Sequence, residues 1–433
     1  MNYQEALAYL DELAAFGVKP GLERITRLLE LLDLPQNKYH IVHVTGTNGK
    51  GSVSAMLAGI LQASSVRTGL FISPHLASYT ERVQIDGQPI SEQEFADSLA
   101  SIQVYVEQMI KEGMEPPTQF EILTAMAFFC FAIHQVEYAV VEVGMGGLLD
   151  STNVVTPVVS VITNVSEDHA QWCGGTLEGV ARHKAGIIKE GVPVVTSAKG
   201  ISLEIIREAA GEKASDIFVE GEDFHAERVF FDHSCQRIEF GSELLGISHE
   251  SYELQMPGCY QVENSAVARM TAALLRNLDE RITVETIARG LKMAKWPGRF
   301  EQFCVNGRKI LLDGAHNPAG AAALRESLDC YFPEEPRVYL LGILRDKAID
   351  GMLKLLLRPE DAVIVTKPES GRAAEPAYIA DRVREYTQNA EIVESCGKAL
   401  ARAAEIADRD RLLIVTGSLY LIGSIRQMLL REE

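Results

Sequence analysis

What this 433-residue sequence lacks narrows it before any motif is read. Its seven cysteines are scattered, with no Cys-x-x-Cys pair among them. Neither a disulfide framework nor a zinc site is indicated, and reduced thiols in a cytoplasm fit that usage. The longest apolar run, Ile122 to Ile133, is interrupted by Thr124 and falls short of the ~20 residues that a membrane span requires. The opening Met1-Asn2-Tyr3-Gln4-Glu5 has no basic segment followed by an apolar one, the mark of a secretory signal. Positive charge is scarce: 41 Lys and Arg stand against 60 Asp and Glu, a net charge of −19. Nucleic acid and anionic membrane, both polyanions, are excluded as expected partners. There is no repeat and no low-complexity segment. What remains, at 47% hydrophobic and 23% charged, is an ordinary globular composition with enough chain for two or three domains.

Against that background one stretch stands out: Thr45-Gly46-Thr47-Asn48-Gly49-Lys50-Gly51-Ser52. The run Tyr39-His40-Ile41-Val42-His43-Val44 precedes it and reads as a buried parallel strand. Val53, Met56, Leu57, Ile60 and Leu61 follow at helical spacing. Strand, glycine turn, lysine, hydroxyl and helix make a phosphate cradle. The glycines let backbone N–H groups approach oxyanions, the helix N-terminus adds partial positive charge, and the lysine neutralises terminal phosphates. The strict pattern has four residues between its first glycine and Gly-Lys, whereas here two intervene and Gly51 separates Lys50 from Ser52. ATP binding is the expectation, through Gly46, Thr47, Asn48, Gly49, Lys50, Gly51 and Ser52.

Apolar strands alternating with helices run through the rest: Thr68–Ile72, a helix over Phe120–Ile133, then Tyr138–Val143, Val158–Thr163 and Val192–Thr196. That rhythm predicts a mostly parallel sheet with helices on both faces. Two amphipathic helices, Tyr3–Phe16 and Leu22–Leu32, precede the cradle, and Phe218 to Leu254 reads as a small antiparallel excursion. Trp296-Pro297-Gly298-Arg299 reads as a linker. After it strands recur near Lys309–Asp313, Arg337–Gly342, Ala362–Thr366 and Arg411–Thr416. The fold class expected is α/β: a P-loop-containing ATPase domain over 1–295, followed by a smaller Rossmann-like domain over 296–433.

Open α/β sheets bind ligands beyond the carboxyl ends of their strands. Ser73 follows one strand, Glu142 ends another, and His169 follows Val158–Thr163 through a short loop. Singly, each has a plain explanation: a helix cap, half of an ion pair, a loop histidine. Placed together beside a phosphate cradle, they are candidates for a shared site. Lys184, before Ala185-Gly186-Ile187-Ile188, reads on composition alone as a solvated surface lysine. In the second domain Asp313 ends a strand, and His316 and Asn317 lie on the turn beyond it; such a loop orients a ribose or phosphate, or caps the helix.

Taken in order, these runs resemble folylpolyglutamate synthases, some with dihydrofolate synthase activity, of the Mur ligase superfamily. The matching runs are Phe16–Arg24, the cradle, Ser73–Leu76, Tyr79–Arg82, Glu142–Gly147, Leu149–Asn153, Asp168-His169, Lys184–Lys189, Pro297–Glu301, Asp313–Pro318 and Thr416–Tyr420. The resemblance implies an ATP-dependent ligase that adds L-glutamate to folate, with dihydropteroate a possible second acid substrate, through an acyl phosphate. It implies magnesium, two ions, held by Ser73, Glu142, His169 and a carbamylated Lys184. It further implies ATP contacts from Asn264, Arg299 and Asp313, with His316 beside them as a catalytic residue together with Lys50 and Lys184. Arg82, Phe120, Glu121, Leu149, Asp150 and Ser151 are implied to face the acid substrate. A cytoplasmic monomer is expected.

The sequence departs from the family pattern at Leu148, where an arginine is usual, at His183, where glutamate is common, and around Trp172–Thr176. The competing enzyme, a peptidoglycan-type Mur ligase, carries an additional N-terminal domain, and only about 40 residues precede the cradle here, against the ~50 or more a domain needs. The competing class is a non-catalytic ATP-binding protein, which would need no metal or second-domain residues.

Overall fold

A computed structural model describes residues 1–14, 17, 19–168 and 172–431. The chain divides into two compact units. One comprises 1–229, 237–255 and 263–295; the other comprises 230–236, 256–262 and 296–433.

The first unit opens with α1 (Tyr3–Ala14) and α2 (Glu23–Leu31), then β1 (His40–Thr45), α3 (Lys50–Ala63), β2 (Thr68–Phe71), β3 (Val83–Ile85) and β4 (Gln88–Pro89). It continues through α4 (Glu92–Lys111), α5 (Gln119–Ile133), β5 (Tyr138–Glu142), β6 (Val159–Ile162), α6 (Leu177–Ala185), β7 (Val194–Thr196), α7 (Ile201–Glu212) and β8 (Ile217–Val219). These strands form one eight-stranded sheet in the order β4-β3-β2-β5-β1-β6-β7-β8. From β2 to β8 in that order every pairing is parallel, and the two antiparallel pairings are those of β3, with β2 and with β4. β1 is central, buried from Ile41 to Thr45, with β5 and β2 on one side and β6 onward on the other. The chain changes direction across the sheet at β1, which makes its carboxyl end the crevice where such sheets take ligands.

Apolar residues decide which faces close. Ile25, Leu28 and Leu29 of α2 pack with Phe95, Leu99 and Ile102 of α4 and with Met126 and Phe128 of α5 into one core. α5 is buried nearly all round, as its apolar residues on every face require. Thr118 caps it: the Thr118 hydroxyl accepts from Glu121 N, while Glu121 Oε2 accepts from Thr118 N at 2.7 Å.

A three-stranded sheet follows, β9 (His225–Phe231), β10 (Gln236–Ser242) and β11 (Ile247–Leu254), in the order β11-β10-β9. α8 (Gln261–Arg276) and α9 (Val284–Met293) come next.

In the second unit β12 (Glu301–Val305), β13 (Arg308–Leu312), α10 (Pro318–Tyr331), β14 (Arg337–Leu341), α11 (Ile349–Leu356) and β15 (Ala362–Val365) are followed by α12 (Pro376–Val383), β16 (Ala390–Ile392), α13 (Cys396–Ala407), β17 (Leu412–Thr416) and α14 (Leu419–Leu429). The six-stranded sheet, ordered β12-β13-β17-β14-β15-β16, is parallel except at its β12 edge. Its strands β14 and β17 are buried throughout, which matches the apolar runs Val338–Leu341 and Leu412–Val415 within them. Among the described residues no helix is long and apolar enough to cross a membrane.

Candidate active site

The turn from β1 into α3 is held open by the strand beside it. Gly46 and Gly49 take positive φ, 153° and 84°. Thr47 N donates to Asn164 O at 2.7 Å and Asn48 N to Asn164 Oδ1 at 3.0 Å. Thr163 Oγ1 donates to Asn48 O at 2.6 Å. Thr163 and Asn164 follow β6 directly; their polarity at the end of an apolar strand was the only sequence signal for them. Lys50 Nζ donates to the carbonyls of Gly46, 3.0 Å, and Thr47, 3.2 Å, so the lysine folds back over its own loop. Asn264, on α8, lies against Gly49 so closely that a Cβ there would collide with Asn264 Oδ1.

At the neighbouring strand ends Ser73 N donates to Glu142 Oε2 at 3.3 Å, and Glu142 is buried at the end of β5. Ser73 Oγ is buried with no hydrogen-bond partner. A buried hydroxyl left unpaired costs free energy, and a hard cation is one partner that offsets the cost. A hydroxyl and a carboxylate are oxygen donors of the kind magnesium prefers. These residues therefore fit the ion. His169 lies outside the described residues.

Lys184 corrects the composition-based reading. It is 5% exposed, near the end of α6, and not a surface residue. Burial, followed by the positive charge of Lys50, brings its pKa down to about 7; Cys173, Asp168 and Asp150 oppose the shift. An interior apolar face of a short helix has the same local sequence as an exposed one, which is why spacing did not place it.

The loop after β5 is organised by Asp150. Its Oδ1 accepts from Thr152 N at 3.0 Å and Thr152 Oγ1 at 2.6 Å, and its Oδ2 accepts from Met145 N at 2.9 Å. Burial pushes its carboxyl up, and these donors oppose the shift. Ser151 Oγ is 2.7 Å from Thr124 Oγ1, while Leu148 and Leu149 are exposed. The Phe120 ring lies against the backbone of Gly144, where a Cβ would come within 2.5 Å of it. Glu121 is buried and pairs with Arg24 at 3.1 Å. Arg82 Nε donates to His75 Nδ1 at 2.9 Å. Burial, then the Arg82 charge, lowers the His75 pKa to about 3.

The second unit brings its own predicted residues together. Asp313 Oδ2 accepts from Tyr260 Oη at 2.7 Å and Phe300 N at 2.9 Å, and Oδ1 accepts from Ala315 N at 2.9 Å. Burial raises its pKa and the Arg299 charge opposes that. Arg299 donates to Gly298 O and lies across Gly314, where any Cβ would collide with it. His316 Nδ1 is 2.8 Å from Gly314 O. Tyr260, some fifty residues from Asp313 in sequence, carried no local signal of this bond.

A phosphate cradle on a central parallel strand, an oxygen donor pair beside it and a second α/β unit define an ATP-dependent ligase of the Mur type. Residues 44–272 match the Mur ligase middle domain, and residues 299–429 match the dihydrofolate synthetase C-terminal domain. The folylpolyglutamate synthase of Lacticaseibacillus casei is 35% identical, covering 99% of both chains. The dihydrofolate synthase/folylpolyglutamate synthase of Bacillus subtilis is 33% identical, with 99% of each covered. The solved structure of Mycobacterium tuberculosis folylpolyglutamate synthase complexed with ADP superposes with a TM-score of 0.90 at 31% identity, over 99% of each chain. The chain belongs to the folylpolyglutamate synthase/dihydrofolate synthase family.

Proposed function

We propose that this protein joins the amino group of L-glutamate to a carboxylate of a folate at the expense of ATP, and that dihydropteroate serves as a second acid substrate. The observation that carries the reading is the cradle beside a buried, unpartnered Ser73 hydroxyl and the Glu142 carboxylate. This is the equipment of phosphoryl transfer. A cytoplasmic location accords with the seven free thiols, and a monomer is what the family resemblance implies.

A carboxylate does not react with an amine in water, because its oxygen is a poor leaving group. Transfer of the γ-phosphoryl of ATP to the carboxylate oxygen gives an acyl phosphate and ADP. The glutamate amine then adds to the acyl carbon, the tetrahedral intermediate expels phosphate, and the amine loses its proton. The protein's part is to position groups and balance charge. Lys50 exchanges the Gly46 and Thr47 carbonyls for phosphate oxygens, and the loop N–H groups face the same oxyanions. Asn264 serves the nucleotide beside Gly49; by the family resemblance Arg299 and Asp313 are assigned to ATP and His316 to catalysis. Phe120, Glu121, Leu149, Asp150, Ser151 and Arg82 line the acid substrate. Ser73 and Glu142, with His169, would hold magnesium, whose chemistry there is neutralisation of phosphate charge.

Lys184 is the proposed site of carbamylation. Its low basicity leaves much of the amine neutral near pH 7, the form that adds to carbon dioxide with loss of a proton. The product is an anion with oxygen donors, suited to a second magnesium.

The test is phosphate release from ATP by the purified protein, supplied with tetrahydrofolate or dihydropteroate and with glutamate. Release that needs both the acid and the amino acid supports the ligase. Release independent of both excludes it, and activity with tetrahydrofolate alone of the two acids removes the dihydropteroate half.

A further inference from the structure

His43 sits in β1, wholly buried, flanked by the apolar Ile41, Val42 and Val44. An imidazole in such a place costs desolvation that leucine would not, and nothing in the phosphoryl-transfer scheme uses it. Its ring is directed by its partners. His43 Nε2 is 2.9 Å from Thr152 Oγ1. The Thr152 hydroxyl donates its single hydrogen to Asp150 Oδ1 at 2.6 Å, and that carboxylate already accepts backbone N–H groups on both oxygens. Thr152 Oγ1 can therefore only accept from His43, which places the imidazole proton on Nε2. Nδ1 is left as a buried acceptor with no protein donor. Burial, followed by the Lys189 charge, lowers the ring's pKa to about 3, so it is neutral at physiological pH.

The result is a directed chain, His43 Nε2–H to Thr152 Oγ1–H to Asp150, whose other oxygen accepts from Met145 N. Two residues along β1, and so on the same face of the strand, Thr45 Oγ1 donates to Gly146 O at 2.7 Å. The strand that ends in the ATP cradle is thus fastened at two points to the loop from Gly144 to Asn153.

We propose that His43 is a positioning residue for the acid substrate, holding the Gly144–Asn153 loop through Thr152 and Asp150 in fixed register with the ATP cradle. The two reactants of the first step, the carboxylate and the γ-phosphoryl, must meet in line, and a displacement of about 1 Å costs on the order of 100-fold in rate. One strand carrying the cradle at its end and the loop on its flank enforces that register. The inference rests on placing the acid substrate against Leu149–Ser151.

The experiment compares His43→Leu, His43→Gln, Thr152→Val and the double variant His43→Leu/Thr152→Val in steady-state ligation. Leucine fills the space without a donor; glutamine offers an amide nitrogen near the position of Nε2. Expected are a roughly 10- to 100-fold fall in kcat/KM for the acid substrate in His43→Leu and Thr152→Val, KM for ATP within about 2-fold, and a double variant no worse than the single ones. His43→Gln should recover most of the loss. Should His43→Leu prove insoluble, Thr152→Val alone tests the chain, since it removes one hydroxyl. Near-normal acid kinetics in Thr152→Val, additive losses in the double variant, or equal weakening for ATP and acid would each overturn the proposal. Leu149→Ala separates it from the underlying placement. If Leu149→Ala leaves the KM for the acid unchanged, the substrate lies elsewhere. If it raises that KM while Thr152→Val does not, only the role of His43 fails.

Discussion

Asn264 Oδ1 occupies the space that a side chain on Gly49 would need. The relationship joins α8 to the phosphate cradle across more than two hundred residues of sequence, and Gly49 also holds φ at 84°. Only glycine meets both conditions without strain. Gly49→Ala should therefore raise the KM for ATP by roughly 10-fold or more, since the left-handed conformation costs ~1–2 kcal/mol before the collision is relieved. Titration calorimetry with a non-hydrolysable ATP analogue checks it; unchanged affinity would refute the packing argument.

Lys50 spans two carbonyls of its own loop, and its side chain is not part of the core. Lys50→Ala should leave the fold intact and cut ligation at least ~100-fold, the scale of removing one hydrogen-bond donor that stabilises a transition state. Circular dichroism verifies the fold and phosphate release the activity. A folded variant turning over at the normal rate would sink the phosphate role.

The buried, unpartnered Ser73 hydroxyl and Glu142 bear on metal dependence. Glu142→Gln keeps the shape and removes the charge, so the magnesium concentration for half-maximal activity should rise by about 10-fold, the low end for disturbing a metal site. A superimposable magnesium titration would rule Glu142 out as a ligand.

Burial of Lys184 leads to a substitution pattern that a surface lysine would not show. Lys184→Ala should cripple ligation, and a short carboxylic acid in solution should restore part of it by filling the vacated space. Lys184→Arg should fail too, because arginine keeps its charge and takes no carbamate. Near-normal activity of Lys184→Arg at saturating magnesium would show that no carbamate is needed.

Arg24 and Glu121 form an ion pair whose side chains are only 12% and 4% exposed. Removing one partner leaves a buried charge uncompensated, so Arg24→Met should destabilise the first unit by ~3 kcal/mol. Urea unfolding gives the difference, and a change below about 0.5 kcal/mol would mean that the pair is dispensable.

The sequence by itself determined the architecture and the glycine turn that opens α3, because both are local. Strand and helix periods, caps such as Thr118 with Glu121, and the turn from Thr45 to Ser52 are all written in neighbouring residues, and the strand ends carrying Ser73, Glu142 and Asp313 follow from them. The second α/β unit was legible for the same reason, and so was the small sheet, though it begins at His225 rather than at Phe218, which lies in β8 of the main sheet. Tertiary structure alone decided what depends on residues far apart in the chain. Lys184 reads as a surface lysine until α6 is packed, and only then is its ammonium desolvated. His43 reads as a strand residue until the loop after β5 folds back and offers Thr152. Tyr260 meets Asp313, and Asn264 meets Gly49, only once distant segments are brought together. Burial and hydrogen-bond partnership, which set the chemistry of these groups, are properties of the space around a side chain and not of its neighbours in sequence.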